Sequence, residues 1–388
     1  MVGITAYKRR PLMLRIIKIG MDVHSKKYAL CALEPKIGEE DRLLAATEIP
    51  ADYKYILAFI ADLQRKLGLD NDYDIVCGYE AGCLGYSLYN QLISSGVKCV
   101  ILAPTTMLTP QGKRIKTDAR DARMIAQCLG HGGYHAVYIP DKEDASVKEY
   151  IRMRDDHKSD LKKMKQRIGA FCLHNGYYYE KEKWSLVHLD WLRKLSLSPL
   201  LRETLDEYLA TYDSLCAAIK RYDERIEEIA KEARYAEKAK KLTCFLGIKT
   251  HTALSLIVET GDFTRFAKGN IYGAYLGLAP GENSSGDKVR RGSISKTGNT
   301  HLRKLLVEAA HSICKGKVGH KSKALQARQR GNTTDVIAYA DRANIRMRSK
   351  YYRMIRHGKK ANVVVTAIAR ELACYVWGMM TDNITISV

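Results

Sequence analysis

Four acidic side chains in the first third of the chain occupy positions from which they could act together. Asp22 ends an apolar run in Gly20-Met21-Asp22-Val23-His24, and Glu80 ends another in Tyr79-Glu80-Ala81-Gly82. Asp118 and Asp121 lie in Lys116-Thr117-Asp118-Ala119-Arg120-Asp121-Ala122-Arg123, three apart, so a helix starting there puts both on one face. An acid inside an apolar strand is costly unless its charge is compensated. Hard divalent cations take carboxylate oxygens and keep waters. Two such ions about 3.5–4 Å apart activate one oxygen and stabilise another in phosphodiester chemistry. Together the four acids read as ligands of a pair of Mg²⁺ ions. Singly, each has a plainer reading. Asp118 could cap a helix, with Asp121 in the first turn where the dipole favours acids. Asp22 could cap a turn before His24, and Glu80 could be an ordinary strand-end acid. His24 is near enough to assist, against the usual reading of a solvated surface histidine.

The elements that must position these acids follow from periodicity. Arg15 to Val23, Lys27 to Leu33 and Leu43 to Ile49 read as strands, the first two close enough for a hairpin. Tyr53 to Leu67 carries Ile56, Ile60, Leu63 and Leu67 at helical spacing. Asp74 to Glu80 reads as a strand, Leu84 to Ser95 as a helix, Val97 to Leu102 as a strand and Asp118 to Leu129 as a helix. The order β-β-β-α-β-α-β-α, with near-continuous apolar strands, predicts a sheet covered on both faces. It is also the element order of an RNase H-like domain, assigned here to residues 1–140.

From about Asp144 to Ala239 the chain changes character. Leu205, Leu209, Tyr212, Leu215, Ile219, Tyr222, Ile226 and Ile229 recur at helical spacing. Two long antiparallel helices around a break near Gly176 to Pro199 are predicted, a coiled-coil linker over 141–239. Residues 240–388 read as a mostly helical third domain. It contains a Gly- and Ser-rich loop at Gly281 to Gly298 and a helix from Asn299 to about Ile313. A basic, less ordered-looking stretch comes next, then a final amphipathic helix from Asn362 to Met380.

The net charge of +21 over 388 residues favours a polyanionic partner, nucleic acid being the commonest, although a basic ribosomal or membrane-surface protein would share it. None of the ten cysteines forms a CxxC pair, which removes zinc-ribbon spacing. Cys31, Cys77, Cys99 and Cys244 sit in apolar runs and read as small buried hydrophobes of a reducing compartment. No stretch is read as a bilayer span of ~20 apolar residues. The expectation is a cytoplasmic, nucleoid-associated protein with no membrane partner.

GMDVH, YEAG and KTDARDAR, followed by a helical middle and YLGLAPGENSSGDKVRRGSISKTGNTHLRKLL, resemble the DEDD insertion-sequence transposases, to which the Piv-type DNA invertases are related. The resemblance runs from about Arg15 to Met380. It implies a RuvC-like N-terminal domain, a coiled-coil linker and a C-terminal transposase domain. It also implies a structured noncoding guide RNA, encoded by the element, that directs recognition of donor and target double-stranded DNA. Carried over by the resemblance, the catalytic acids are Asp22, Glu80, Asp118 and Asp121. The serine before glycine in Ser284-Ser285-Gly286 is Ser285, implied to be a nucleophile that forms a phosphoserine link to DNA. A serine hydroxyl is weak and needs activation and phosphate neutralisation. Without the resemblance, the SSG segment reads as a flexible turn, and Ser284 remains a substitute.

Cations surround both candidate sites. Lys113, Arg114, Lys116, Arg120 and Arg123 flank the aspartate pair; Lys288, Arg290, Arg291, Lys296 and Arg303 come after the serines. They are expected to contact phosphates, with steep salt dependence. Further on, Tyr351 and Tyr352 interleave with arginines and lysines, a pattern that suits RNA or single strands. Leu246-Gly247-Ile248-Lys249-Thr250 resembles a degenerate helix-hairpin-helix turn, against a plain helix start. The resulting expectation is a Mg²⁺-dependent strand-transfer enzyme acting as a dimer or tetramer. The alternatives are a junction nuclease that uses water and a non-catalytic nucleic-acid scaffold.

Overall fold

The computed structural model describes residues 14–68, 72–82, 84–104, 107, 117–282 and 291–384. It divides into two units, Met1–Ile139 and Pro140–Val388. The first holds β1 (Arg15–Val23), β2 (Lys27–Glu34), β3 (Arg42–Pro50), α1 (Tyr53–Leu67), β4 (Tyr73–Glu80), α2 (Ser87–Ser94), β5 (Lys98–Leu102) and α3 (Asp118–His131). The five strands form one sheet in the order β3-β2-β1-β4-β5. β1 runs antiparallel to β2 and parallel to β4, and β4 is parallel to β5. Adjacent side chains on a strand point to opposite faces, so each strand serves two cores. Ile17, Ile19 and Met21 of β1 pack with Tyr79 of β4, Ile56 and Ile60 of α1, and Leu92 of α2. Ala29, Cys31 and Leu33 of β2 pack on the other face with Ala122 and Ala126 of α3. The sheet is therefore covered on both sides, as the apolar runs predicted.

Two glycines let α3 lie close. A Cβ on Gly20 would fall within 3.0 Å of the Ala122 carbonyl oxygen, the Ala126 nitrogen and the Ala126 Cα, all backbone atoms of α3. Gly78 pairs with Gly20 across β1 and β4, and a Cβ there would meet the Leu129 and Leu102 methyls at 2.8 and 2.9 Å. Gly20 and Gly78 thus mark the face of the sheet that carries α3. Asp22 and Glu80, each two residues further along the same strands, project to that face.

The second unit opens with α4 (Lys142–His174), α5 (Leu186–Arg193) and α6 (Pro199–Ile229). Arg154 of α4 pairs with Asp223 near the far end of α6, and Met164 and Ile168 pack with Leu205 and Leu209, so the two long helices are antiparallel. The chain continues through α7 (Ala236–Leu242), α8 (Thr250–Thr260), α9 (Gly269–Tyr275), β6 (Pro280–Glu282), β7 (Arg291–Ile294), α10 (Thr300–Ile313), α11 (Lys323–Gln329), α12 (Thr334–Arg356) and α13 (Ala361–Met380).

Two expectations are corrected here. The basic stretch after Ile313 is not irregular: it contains α11 and the 23-residue α12, which buries Val336, Tyr339, Ala340, Ala343 and Met347. That apolar stripe is narrow, and the arginines on the other faces obscure it in the sequence. Among the described residues, one helix, α13, is long and apolar enough by length and composition to cross a membrane. In the fold it is a core helix: Ile368, Leu372, Val376 and Met379 are at most 1% exposed, within the main core of the unit. Cys31, Cys77, Cys99 and Cys244 are buried free thiols, as the apolar runs implied.

Candidate active site

The chemistry of the first unit collects where β1 and β4 end beneath the start of α3. Met21 is paired with Tyr79, so Asp22 and Glu80 stand one position beyond on adjacent parallel strands. A tight turn joins β1 to β2, closed by the His24 N–H donating to the Lys27 carbonyl at 3.1 Å. Asp22 and His24 are two apart at this strand end, and the His24 Nε2 lies 3.4 Å from Asp22 Oδ2. Thr117 caps α3, its hydroxyl accepting from the Arg120 N–H. The capping alternative for Asp118 is thereby removed, and its carboxylate is left for other partners. Asp118 Oδ1 lies 4.0 Å from His24 Nε2, and Oδ2 is 3.0 Å from Lys27 Nζ. Ligand atoms of Asp22, His24 and Asp118 all fall within 4.8 Å of one another. Asp121, one helical turn on, is close enough for its charge to act on Asp22. Glu80 is exposed at its strand end and stands outside the three-ligand group.

The electrostatics differ between the two central acids. Burial raises the Asp22 pKa above the ordinary carboxylate value; the charges of Asp121 and Asp118 raise it further, while His24 opposes. The Asp118 pKa is lowered, chiefly by its hydrogen bond from Lys27. Lys27 is itself held by both oxygens of Glu48, at 3.1 and 3.2 Å. A half-buried carboxylate with further acidic charge beside it is a donor set that suits a divalent cation.

Sequence reasoning did not single out Lys27, Glu48, Gly20 or Gly78. A legible signal existed for the glycines: the pattern Gly-x-acid occurs at both Gly20-Met21-Asp22 and Gly78-Tyr79-Glu80. Of the basic residues expected around the pair, Arg120 and Arg123 lie exposed on α3. Lys113, Arg114 and Lys116 lie outside the described residues.

Ser284, Ser285, Lys288 and Arg290 also lie outside the described residues, in the connection between β6 and β7. The strands on either side are described: Pro280 pairs with Ile294 and Glu282 with Arg291. The segment from β7 into α10 is tightly anchored. A Cβ on Gly298, which has φ +70°, would collide with the Tyr275 carbonyl oxygen. Asn299 caps α10 by accepting from the Leu302 N–H at 3.0 Å and donates to Glu259 Oε2 at 2.8 Å, a structural role. Lys296 is exposed in the left-handed region (φ +57°). The Arg303 guanidinium donates to the carbonyls of Leu276 and Thr297 and to Thr300 Oγ1, so part of its donor set is taken by the protein itself. Gly247 (φ +87°) is pressed against the Ala309 backbone, and Lys249 is the N-cap of α8. The turn joins α7 to α8 and leads directly into the start of α8.

A second polar cluster ties α4, α8 and α10. The Glu259 side chain, 1% exposed, accepts from Arg152 Nε at 2.7 Å and from Asn299, and lies 3.2 Å from His301 Nδ1. His301 Nε2 and His251 Nε2 each lie 2.9 Å from opposite oxygens of Asp155, which also accepts from Arg154. Burial works against the charges, but the two carboxylates hold the His301 pKa up at about 9, and His301 with Arg152 holds Glu259 down at about 2. Asp155, Glu259 and His301 are far apart in the chain, and nothing in local sequence marks them as neighbours.

The chain is similar in sequence to known proteins. The sequence pattern of the "Transposase IS116/IS110/IS902 family" matches residues 239–325. A second pattern, for the DEDD domain of IS110 elements and described as "Transposase", matches residues 19–174. The chain is 31% identical over 357 residues to the transposase for insertion sequence element IS1533 of Leptospira borgpetersenii, covering 90% of this chain and 99% of that protein. It is 30% identical over 366 residues to y4qE of Sinorhizobium fredii, named as a putative transposase, covering 94% and 88%. The transposase for insertion sequence element IS1111A of Coxiella burnetii is 24% identical over 354 residues, covering 87% and 91%.

Proposed function

This chain belongs to the IS116/IS110/IS902 family of transposases, and from that premise we propose that Asp22, Glu80, Asp118 and Asp121 hold the divalent ions of its DNA strand-cleavage centre. The carrying observation is the gathering of Asp22, His24 and Asp118 ligand atoms within 4.8 Å, under a helix whose next turn brings the charge of Asp121 to bear on Asp22. The strand order β3-β2-β1-β4-β5, with β2 antiparallel and β4 parallel to β1, supports an RNase H-like reading of the first unit. Within the second unit, we read 141–239 as a helical linker and 240–388 as the transposase domain.

When bound, a pair of Mg²⁺ ions would neutralise the scissile phosphate and stabilise the oxygens that attack and leave. The protein's part is to fix the acids on two strand ends and one helix, where packing holds them without reorganisation. Ser285 is the nucleophile of this reading. Its Oγ forms a bond to phosphorus, the phosphorus–oxygen bond to the adjoining deoxyribose breaks, and the proton lost by the serine ends on the released hydroxyl. Reversal of that step onto another strand's hydroxyl joins the new partners. Lys288, Arg290, Arg291 and Lys296 lie near the serine in sequence and supply positive charge.

A structured guide RNA and donor and target DNA are the partners of this reading, supported by the net charge of +21 and the tyrosines Tyr351 and Tyr352 among the cations of α12. A dimer or tetramer is supported by the apolar side chains left exposed at the end of the helical hairpin, Leu186 (85%), Leu200 (73%) and Tyr178 (71%). The test is cleavage of supercoiled donor DNA by the purified chain, with RNA transcribed from the element's flank and with Mg²⁺. Asp22→Asn, Glu80→Gln, Asp118→Asn and Asp121→Asn should each abolish cleavage while DNA binding persists. Ser285→Ala should abolish a protein–DNA adduct that survives denaturation. Cleavage that persists in Ser285→Ala without an adduct would replace this reading with a nuclease that uses water.

A further inference from the structure

We propose that His24 is a nitrogen ligand of the metal centre, completing a two-carboxylate, one-imidazole set with Asp22 and Asp118 that favours Mn²⁺ and other transition ions over Mg²⁺. This rests on the metal-centre reading given above. Ligands about 2.1 Å from an octahedral ion lie roughly 3.0 Å apart when adjacent and roughly 4.2 Å apart when opposite. The Nε2 of His24 is 3.4 Å from Asp22 Oδ2 and 4.0 Å from Asp118 Oδ1, inside the span that one ion bridges with small side-chain rotations.

The backbone fixes the imidazole on the correct side. Asp22 and His24 are two residues apart at the end of β1, and the hydrogen bond from His24 N–H to the Lys27 carbonyl closes the turn beside them. The oxygens of Asp118 are divided between partners: Oδ2 pairs with Lys27, which Glu48 holds, and Oδ1 faces His24. The ammonium is therefore held by Glu48 and by the Asp118 oxygen other than the one nearest His24. The histidine is 55% exposed and Asp22 19%, so the imidazole stands nearer to solvent than the Asp22 carboxylate.

Imidazole is a softer donor than carboxylate, so it strengthens binding of transition ions and does little for Mg²⁺. The experiment is metal titration and pulsed EPR of the full chain with Mn²⁺ alone. Nitrogen coupling to Mn²⁺ is expected in the wild type, changing character when histidine is ¹⁵N-labelled. His24→Ala and His24→Gln should both lose the coupling and bind Mn²⁺ at least ~10-fold more weakly, with Mg²⁺ affinity changed less than ~3-fold. Circular dichroism checks that both variants fold. Mn²⁺ that binds in an Asp22-dependent manner without nitrogen coupling overturns the role of His24 alone. Mn²⁺ binding unaffected by Asp22→Asn overturns the metal centre itself, and this inference with it.

Discussion

Replacing Gly20 by alanine should disable the centre without touching an acid. The added methyl would come within 3.0 Å of three backbone atoms of α3, and real Cβ atoms essentially never approach that closely. Backbone atoms of one helix cannot step aside individually, so α3 must lift from β1 by about 1 Å. Overpacking of this kind costs on the order of 1–3 kcal/mol. The larger effect is on geometry, because Asp118 and Asp121 ride on α3 while Asp22 stays on β1. A misplacement of about 1 Å costs on the order of 10²-fold in rate when the reacting groups are held rigidly. We expect a lowered melting temperature together with a loss of about two orders of magnitude in donor-DNA cleavage. Gly78→Ala should be milder, since its new methyl meets side-chain methyls of Leu129 and Leu102 that can rotate. Gly169→Ala on α4, whose Cβ would have open space, should be neutral or slightly stabilising. The assay is differential scanning fluorimetry beside a cleavage time course for all three variants. A Gly20→Ala protein with unchanged melting and cleavage would refute the claim that close approach of α3 sets the site.

His301 should impose a pH dependence on stability. Its folded pKa of about 9 lies above the ordinary imidazole value, so its stabilisation is complete below ~6.5 and is lost as pH rises through about 9. After discounting for solvent screening the effect is on the order of 2 kcal/mol, and His301→Gln should flatten the melting profile between those limits. The Glu259 pKa of about 2 acts oppositely: its contribution is present above ~4.5 and fades as pH falls through about 2. Asn299→Ala removes both the α10 cap and a partner of buried Glu259, and should cost about 1–3 kcal/mol by chemical denaturation. Arg303→Ala should leave the salt dependence of DNA binding unchanged, whereas Lys296→Ala should reduce its logarithmic slope by about 1 in filter-binding titrations.

Much of this protein is local and was therefore legible in one dimension. Near-continuous apolar runs and helical spacing placed β1 at Arg15–Val23 and α1 at Tyr53–Leu67, and the hairpin of α4 and α6 came from one long apolar stripe and a break. The four acids could be named because each ends an apolar segment or opens a helix. Three-dimensional contacts decided the rest. Whether Asp118 caps α3 or faces Asp22 depended on Thr117 taking the cap and on Gly20 letting the helix settle. That Arg303 binds nearby backbone carbonyls, and that Asp155, Glu259 and His301 share one partly buried network, comes from the packing of α4, α8 and α10. The physical reason is range. Propensity and periodicity act over a few residues, whereas the partner that satisfies a buried charge is chosen by whichever element the packed core brings alongside.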